Sequence, residues 1–257
     1  MEFRLRVVAI IQARMGSSRF PGKVLTEIDG KPILEILISR IKPSKFVEQI
    51  VVATTVEKTD DILCDWLTNK GIEYFRGSER DVLDRFWQCA KLYSADVIVR
   101  ITADDPLKDS EIIDEALGLL KKLDYVDYVS NTIKPTYPEG LDVEVFRFSA
   151  LEKANAEATL DSEREHVTPY IWKNMVKFKL LNFEMIPNLS DWRWTVDKPE
   201  DLEFVRSLLS LAGNDISIGY RDLIEIVNKN PLLKDINSST VRNEGYIKSR
   251  SKEVINE

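Results

Sequence analysis

The residues best suited to chemistry cluster between positions 13 and 23. There Ala13-Arg14-Met15-Gly16-Ser17-Ser18-Arg19-Phe20-Pro21-Gly22-Lys23 sets three cations among two glycines and two serines. Short side chains let backbone N–H groups approach an anion closely, and the cations neutralise it. The ligand such a loop suits is the triphosphate of a nucleotide. The spacing is not the Walker A pattern, because Val24 follows Lys23 where Ser or Thr is required. Arg14, Lys23 and the backbone at Gly16, Ser17 and Ser18 are the expected phosphate-binding groups, Lys23 as a compact charge on a flexible stem. Arg19 is a secondary nomination, since one loop arginine is as readily solvated.

Transfer of a nucleotidyl group asks that the triphosphate be held in line and that charge at the α-phosphate be neutralised. The attacking oxygen must also lie opposite the leaving pyrophosphate. Arg14 and Lys23 serve the first need and are assigned catalytic roles. For the second, Asp104 in Arg100-Ile101-Thr102-Ala103-Asp104-Asp105-Pro106 and Asp197 in Trp194-Thr195-Val196-Asp197-Lys198-Pro199-Glu200-Asp201 are the candidates. Two carboxylates from distant strand ends are what an octahedral Mg²⁺ shared with phosphate oxygens requires. Read alone, Asp104 is a turn residue and Asp197 a helix cap; read with the phosphate loop, they are metal ligands and catalytic. Spacing does not decide whether Asp104 or Asp105 faces the metal.

These residues need a frame. Residues 7–13, 49–55 and 96–102 are apolar runs of strand type. Residues 32–41, 59–70, 81–93 and 110–123 carry helical periodicity, the second with Ile62, Leu63, Trp66 and Leu67 on one face. Continuous apolar strands between helices imply a parallel sheet covered on both faces. Ligands of such sheets sit at the carboxyl ends of the strands, where residues 14–23 and 104–106 both fall. Ala13, Thr54, Thr102 and Ala103, at the same strand ends, join the nucleotide-binding set. After residue 124 the runs 125–131, 141–148 and 177–185 alternate more and suggest an antiparallel or mixed extension. Residues 187–191 read as a loop and 192–197 as a short strand with Trp192 and Trp194 packed inward and Arg193 facing the crevice. Helices follow from Pro199 to about Ala212 and over about 220–228. The expected fold is therefore α/β, a three-layer, mostly parallel twisted sheet of Rossmann-like type with a mixed extension. One domain spans 1–233, and 234–257 is expected to be a polar, mobile tail.

The pattern Ala-Arg-x-Gly-Ser-Ser-Arg-x-Pro-Gly-Lys after a first strand resembles the sugar cytidylyltransferases of the spore coat polysaccharide type. These are related to the enzymes that activate 3-deoxy-manno-octulosonate and acylneuraminates. The resemblance covers residues 7 to about 205, with five separated motifs in family order. It implies a nucleotide-diphospho-sugar transferase-like fold, CTP and a sugar as substrates, Mg²⁺ as cofactor and a homodimer. It divides the domain into a nucleotide part (1–124), a sugar-binding and dimerisation part (125–186) and a return to the core sheet (187–233). It points to Asp104 and Asp197 as magnesium ligands. It places the Gly-Ser-x-x-Asp-Val-Leu-x-Arg segment, with Gly77, Ser78, Asp81 and Arg85, over the nucleotide; Arg85, one turn into a helix, can reach back toward the helix start, where anions are favoured. It sets Glu139, Asp142 and Glu144 of Pro138-Glu139-Gly140-Leu141-Asp142-Val143-Glu144, and Arg164 and His166 of Arg164-Glu165-His166-Val167-Thr168, near the sugar. Arg164 would offer a bidentate fork to a sugar carboxylate. His166 is either a proton acceptor for the sugar hydroxyl or a structural partner of a carboxylate such as Glu144.

Composition narrows the alternatives. The 257 residues are 44% hydrophobic and 31% charged with a formal net charge of −7. That balance suits one large α/β domain and opposes a general nucleic-acid binder, which needs a basic face. Cys64 and Cys89 sit in separate helical patterns and the chain has one histidine, so neither a disulfide framework nor a Cys/His zinc site is indicated. No run approaches a membrane span, and the first residues lead straight into a strand, so a cytoplasmic protein is expected. Three rivals remain: a nucleotidyltransferase using another base or a sugar phosphate, a glycosyltransferase of similar topology, and a non-catalytic nucleotide-binding module. Asp104-Asp105-Pro106 lacks the Asp-x-Asp of the second; Arg14, Lys23, Asp104 and Asp197 together oppose the third.

Overall fold

The structure, a computed structural model, describes residues 5–17, 19–238 and 242–255; Ser18, assigned to the phosphate site, lies outside them. The chain opens with β1 (Val7–Gln12), a minor hairpin of β2 (Glu27–Ile28) and β3 (Lys31–Pro32), and α1 (Ile33–Ile41). It continues through β4 (Gln49–Thr55), α2 (Asp61–Lys70), β5 (Tyr74–Gly77), α3 (Val82–Leu92), β6 (Val97–Thr102) and α4 (Ser110–Lys122). Then come β7 (Tyr128–Ser130), β8 (Glu144–Arg147), α5 (Phe148–Glu157), α6 (Asp161–His166), α7 (Pro169–Lys173) and β9 (Leu180–Asn182). The chain ends in α8 (Pro199–Leu211), α9 (Tyr220–Lys229) and α10 (Glu244–Ile255).

The main sheet has the order β5-β4-β1-β6-β8-β7-β9. β5, β4, β1 and β6 are parallel, β8 runs antiparallel to β6 and β7, and β9 is parallel to β7. This is the mostly parallel sheet with a mixed extension that the sequence implied. Val7 to Ile11 of β1 are all fully buried, yet they serve two cores. Val7, Ala9 and Ile11 pack with α1, α2, α4, α8 and α9, whereas Val8 and Ile10 pack with α3, α5 and α7. Period-two alternation places successive side chains on opposite faces, so a strand covered on both sides must be apolar throughout.

From β1 the chain moves outward through β4 to β5, then returns across β1 to β6. The order reverses between β1 and β6, and a crevice opens at their carboxyl ends. The loops carrying Arg14 to Lys23 and Ala103 to Asp105 both enter it. The bond from Ala103 N to Gln12 O, 3.1 Å, holds the two strand ends together.

Several expectations need correction. Residues 192–197 form no strand; one isolated bridge, Glu139 to Arg193, replaces it. Ile62, expected on the packed face of its helix, is exposed. Residues 244–255, expected to lack structure, form α10 and pack on α6. That helix is polar and is held by ion pairs and hydrogen bonds, so it carries no apolar periodicity to read. Cys64 and Cys89 are free and buried, as small apolar groups would be. Among the described residues no helix is long and apolar enough to cross a membrane.

Candidate active site

The crevice is a cleft of about 1240 Å³ reached by the loop after β1, the turn after β6, the turn before β8 and helices α6, α7 and α10. Its centre is Lys23. The Nζ atom donates to Asp104 Oδ2 at 2.7 Å, to Asp197 Oδ1 at 2.8 Å and to the Val196 carbonyl at 2.9 Å. A buried ammonium requires such partners. Burial pulls the Lys23 pKa down, but Asp104 and Asp197 raise it further, and the net shift is upward. Burial pushes Asp104 up, the Lys23 ammonium outweighs it, and the carboxyl settles at about 2. Both groups are therefore charged at neutral pH.

The adjacent aspartates differ in their partners. Asp105 accepts from Thr102 Oγ1 at 2.7 Å and from the buried Lys108 Nζ at 2.9 Å, so its carboxylate braces the turn. Asp104 is the one that meets Lys23 and, through its Nζ, shares that cation with Asp197.

Asp197 is surrounded by cations. Its Oδ1 also meets Arg19 Nη2 at 2.7 Å, and its Oδ2 accepts from Arg193 Nη2 at 2.8 Å. Arg193 further donates to Glu139 Oε2 at 2.5 Å and to Asp201 Oδ1 at 3.0 Å. Asp201, fully buried, accepts the backbone N–H groups of Asp197 at 2.9 Å and Lys198 at 3.0 Å. It thereby supplies the negative charge that the start of α8 attracts. The capping role open to Asp197 is thus taken by Asp201, and Asp197 faces the cleft.

The phosphate loop is fastened from beneath. Met15 N donates to Asp60 Oδ1 at 2.6 Å, and Thr55 Oγ1 donates to the other oxygen of this buried carboxylate. Ala13, Arg14, Ser17 and Lys23 line the cleft, as do Arg85, Thr102 and Ala103. Arg14 is half exposed and pairs with Glu79 at 3.0 Å. Arg85 does reach back to the start of α3: its Nη1 donates to the Ser78 carbonyl at 2.5 Å, and its Nε is buried without a partner. Burial, with Arg14 nearby, lowers its pKa to about 10.

Five residues assigned to the nucleotide do not line the cleft. Gly16 has room for a methyl group, whose nearest neighbour would be Glu79 at 3.7 Å. Thr54 is fully buried within β4. Gly77 makes way for Arg85, whose Cγ would lie 2.8 Å from an added Cβ. Ser78 Oγ accepts from Asp81 N at 3.0 Å, and Asp81 caps α3 by accepting from Asp84 N at 3.0 Å.

The five acceptor candidates line the cleft, each already engaged. The Arg164 fork, expected for a ligand carboxylate, closes on Asp81 at 2.9 and 2.6 Å and on Asn155. Glu144 holds Arg100, Tyr128 at 2.6 Å and Thr168 at 2.5 Å. Burial raises its pKa, Arg100 lowers it more, and it stays ionised at neutral pH. The contact to His166 left open by the sequence is therefore not made; His166 Nε2 meets Ser249 Oγ at 3.0 Å. Asp142 receives Arg242, and Glu139 receives Arg193 and the Asn243 amide at 2.9 Å.

Sequence reasoning missed Asp60, and it gave Arg193 and Arg100 no part in tying the site together. Arg193 carried one signal, its alternation between two tryptophans. The other two reach the site through Met15 and Glu144, 45 and 44 residues away, which no local pattern announces.

A relative in Methanocaldococcus jannaschii, an uncharacterized protein, is 43% identical over 246 residues, covering 94% of this chain and 98% of its own. The spore coat polysaccharide biosynthesis protein SpsF of Bacillus subtilis is 34% identical over 234 residues, covering 88% of this chain and 95% of its own. The solved structure of a cytidylyltransferase from Leptospira borgpetersenii superposes with a TM-score of 0.87 at 38% identity. It covers 93% of this chain and 100% of that one. The model of the cytidylyltransferase family matches residues 8–219, and with a phosphate loop, an acidic pair and a sheet arranged in this way, the chain belongs to the cytidylyltransferases.

Proposed function

We propose that this protein transfers CMP from CTP to a hydroxyl of a sugar, with release of pyrophosphate. We further propose that the acceptor is a sugar acid destined for a surface or spore-coat polysaccharide, by likeness to the Bacillus relative. The single observation that carries the nucleotidyl-transfer reading is the convergence of Asp104 and Asp197 on one cationic point, 2.7 and 2.8 Å from Lys23 Nζ. Arg14, Arg19 and Lys23 hold the triphosphate from the β1 side. Arg85 faces the same space from α3. The turn carrying Glu139 and Asp142, with Glu144, Arg164 and His166, forms the acceptor end.

The residues fit a Mg²⁺ ion. Two carboxylate oxygens already gather around a positive charge, and no group of three or more His, Cys, Asp or Glu among the described residues could form an all-protein cage. Mg²⁺ is commonly bound by one or two carboxylates together with substrate phosphates and water. Held by Asp104 and Asp197, it would supply charge neutralisation at the α-phosphate. Use of CTP is consistent with a cytoplasmic site of action. A homodimer is supported by the exposed Met175, Val176 and Ile186 in the 125–186 part; sedimentation as a monomer at working concentration contradicts it.

The test is a thermal shift with Mg²⁺ and each of CTP, UTP, ATP and GTP. Ligand at about a hundred times its Kd adds about 2.7 kcal/mol, which for this size raises the midpoint by about 5–10 °C. The expected result is a shift with CTP that is lost on adding EDTA. A shift confined to another nucleotide replaces the base, and no shift with any of the four refutes the reading.

A further inference from the structure

Helix α10 and the two residues before it lie beyond the part of the chain that matches the family, yet they reach three of the five acceptor residues. Arg242 binds Asp142, Asn243 N donates to Glu139 Oε1 at 2.9 Å, and Ser249 Oγ meets His166 at 3.0 Å. Tyr246 wedges its ring edgewise between His166 and Trp172, with centroids at 5.2 and 5.7 Å. Farther along, Glu253 takes both the amide and the hydroxyl of Ser162, at 2.5 and 2.9 Å. Arg242, which also donates to the Tyr137 and Ser190 carbonyls, anchors the start of the segment; beyond it the contacts are polar or aromatic-edge and individually weak. A segment held in this way opens at low free energy.

At its first turn this segment also touches the phosphate loop. Arg19 directs Nη2 to Asp197 Oδ1 at 2.7 Å and Nη1 to Glu244 Oε2 at 3.0 Å. Glu244 places a carboxylate on a loop cation that a phosphate would claim. We infer that residues 242–255 form a strap over the acceptor end of the cleft, latched to the phosphate loop by Glu244 on Arg19. A nucleoside triphosphate then releases the strap by taking Arg19. The polyphosphate both competes for the guanidinium and repels Glu244, so nucleotide binding at one end of the cleft uncovers the acceptor residues at the other. This inference rests on the nucleotide reading above.

The experiment titrates CTP with Mg²⁺ into the wild-type chain and Glu244→Gln by calorimetry. In parallel it follows amide hydrogen exchange over 244–255. Removing a competing carboxylate of this exposure is expected to tighten the CTP Kd about threefold to fivefold. Saturating CTP is expected to speed exchange of 244–255 in the wild type, and the variant is expected to exchange fast without CTP. Glu244→Ala, which removes the whole carboxamide or carboxylate from Arg19, is expected to bind CTP at least as tightly as Glu244→Gln. CTP binding that is equal in wild type and variant, with exchange unmoved, overturns the latch and leaves the nucleotide reading standing. Absence of CTP binding in all three proteins overturns both.

Discussion

Replacing Lys23 with Met tests the centre of the site without a substrate. The thioether chain is close to the lysine stem in volume, so the change removes charge and donors more than packing. In the wild type, Lys23 helps bring Asp104 from 3.8 to about 2, which is worth about 2 kcal/mol of stability at neutral pH. That share is present above 3.8 and is lost only as pH falls through about 2. In the variant, Asp104 faces Asp197 without a counter-charge. Asp197 keeps Arg19 and Arg193, so the penalty of about 1 kcal/mol falls on Asp104, whose pKa rises above 3.8. That penalty shrinks by about half as pH falls from 7 to 4 and disappears only below 3.8. The total deficit of about 3 kcal/mol at pH 7 lowers the midpoint of unfolding by about 6–12 °C. The gap should narrow by about a quarter at pH 4. Millimolar Mg²⁺ should raise the variant's midpoint more than the wild type's, because the acidic pair then lacks its own cation. Calorimetric scans from pH 7 to 4, with and without Mg²⁺, provide the assay. A midpoint equal to wild type at pH 7, or a gap that widens on acidification, refutes the argument.

Two further outcomes follow from packing and pairing. Gly140 has φ +105°, and an added Cβ would stand 2.7 Å from the Trp194 carbonyl carbon and 2.8 Å from Thr195 N; Gly140→Ala should cost about 2–4 kcal/mol in a denaturant titration, and a loss below about 1 kcal/mol means the turn is free to move. Arg164→Ala and Asp81→Ala should show a coupling energy of about 1 kcal/mol in a double-mutant cycle on stability, discounted because Asp81 is about a third exposed; zero coupling would return the Arg164 fork to a ligand.

Much of the frame was legible because β1, β4 and β6 are largely buried on both faces and so read as mainly apolar runs, broken in β6 by Arg100, with amphipathic α1, α3, α4 and α8 between and after them. β5 escaped notice because Tyr74, Phe75 and Arg76 are only half buried at the sheet edge. α6 and α7 are five or six residues long, too short for a period to emerge. In the site, the cations and carboxylates could be nominated by type, but their pairing could not. Lys23 and Asp104 are 81 residues apart. Nothing near Arg164 in sequence shows that Asp81, which caps another helix, will occupy its guanidinium. Asp104 and Asp105 are indistinguishable until Lys108, buried one turn later, claims the second of them.

The Arg193 guanidinium touches the acceptor turn through Glu139, the acidic pair through Asp197 and the start of α8 through Asp201. Because one guanidinium serves all three, a change at position 139 is felt at the Asp197 carboxylate and at the start of α8, so the turn carrying Glu139 and the acidic pair cannot be altered independently.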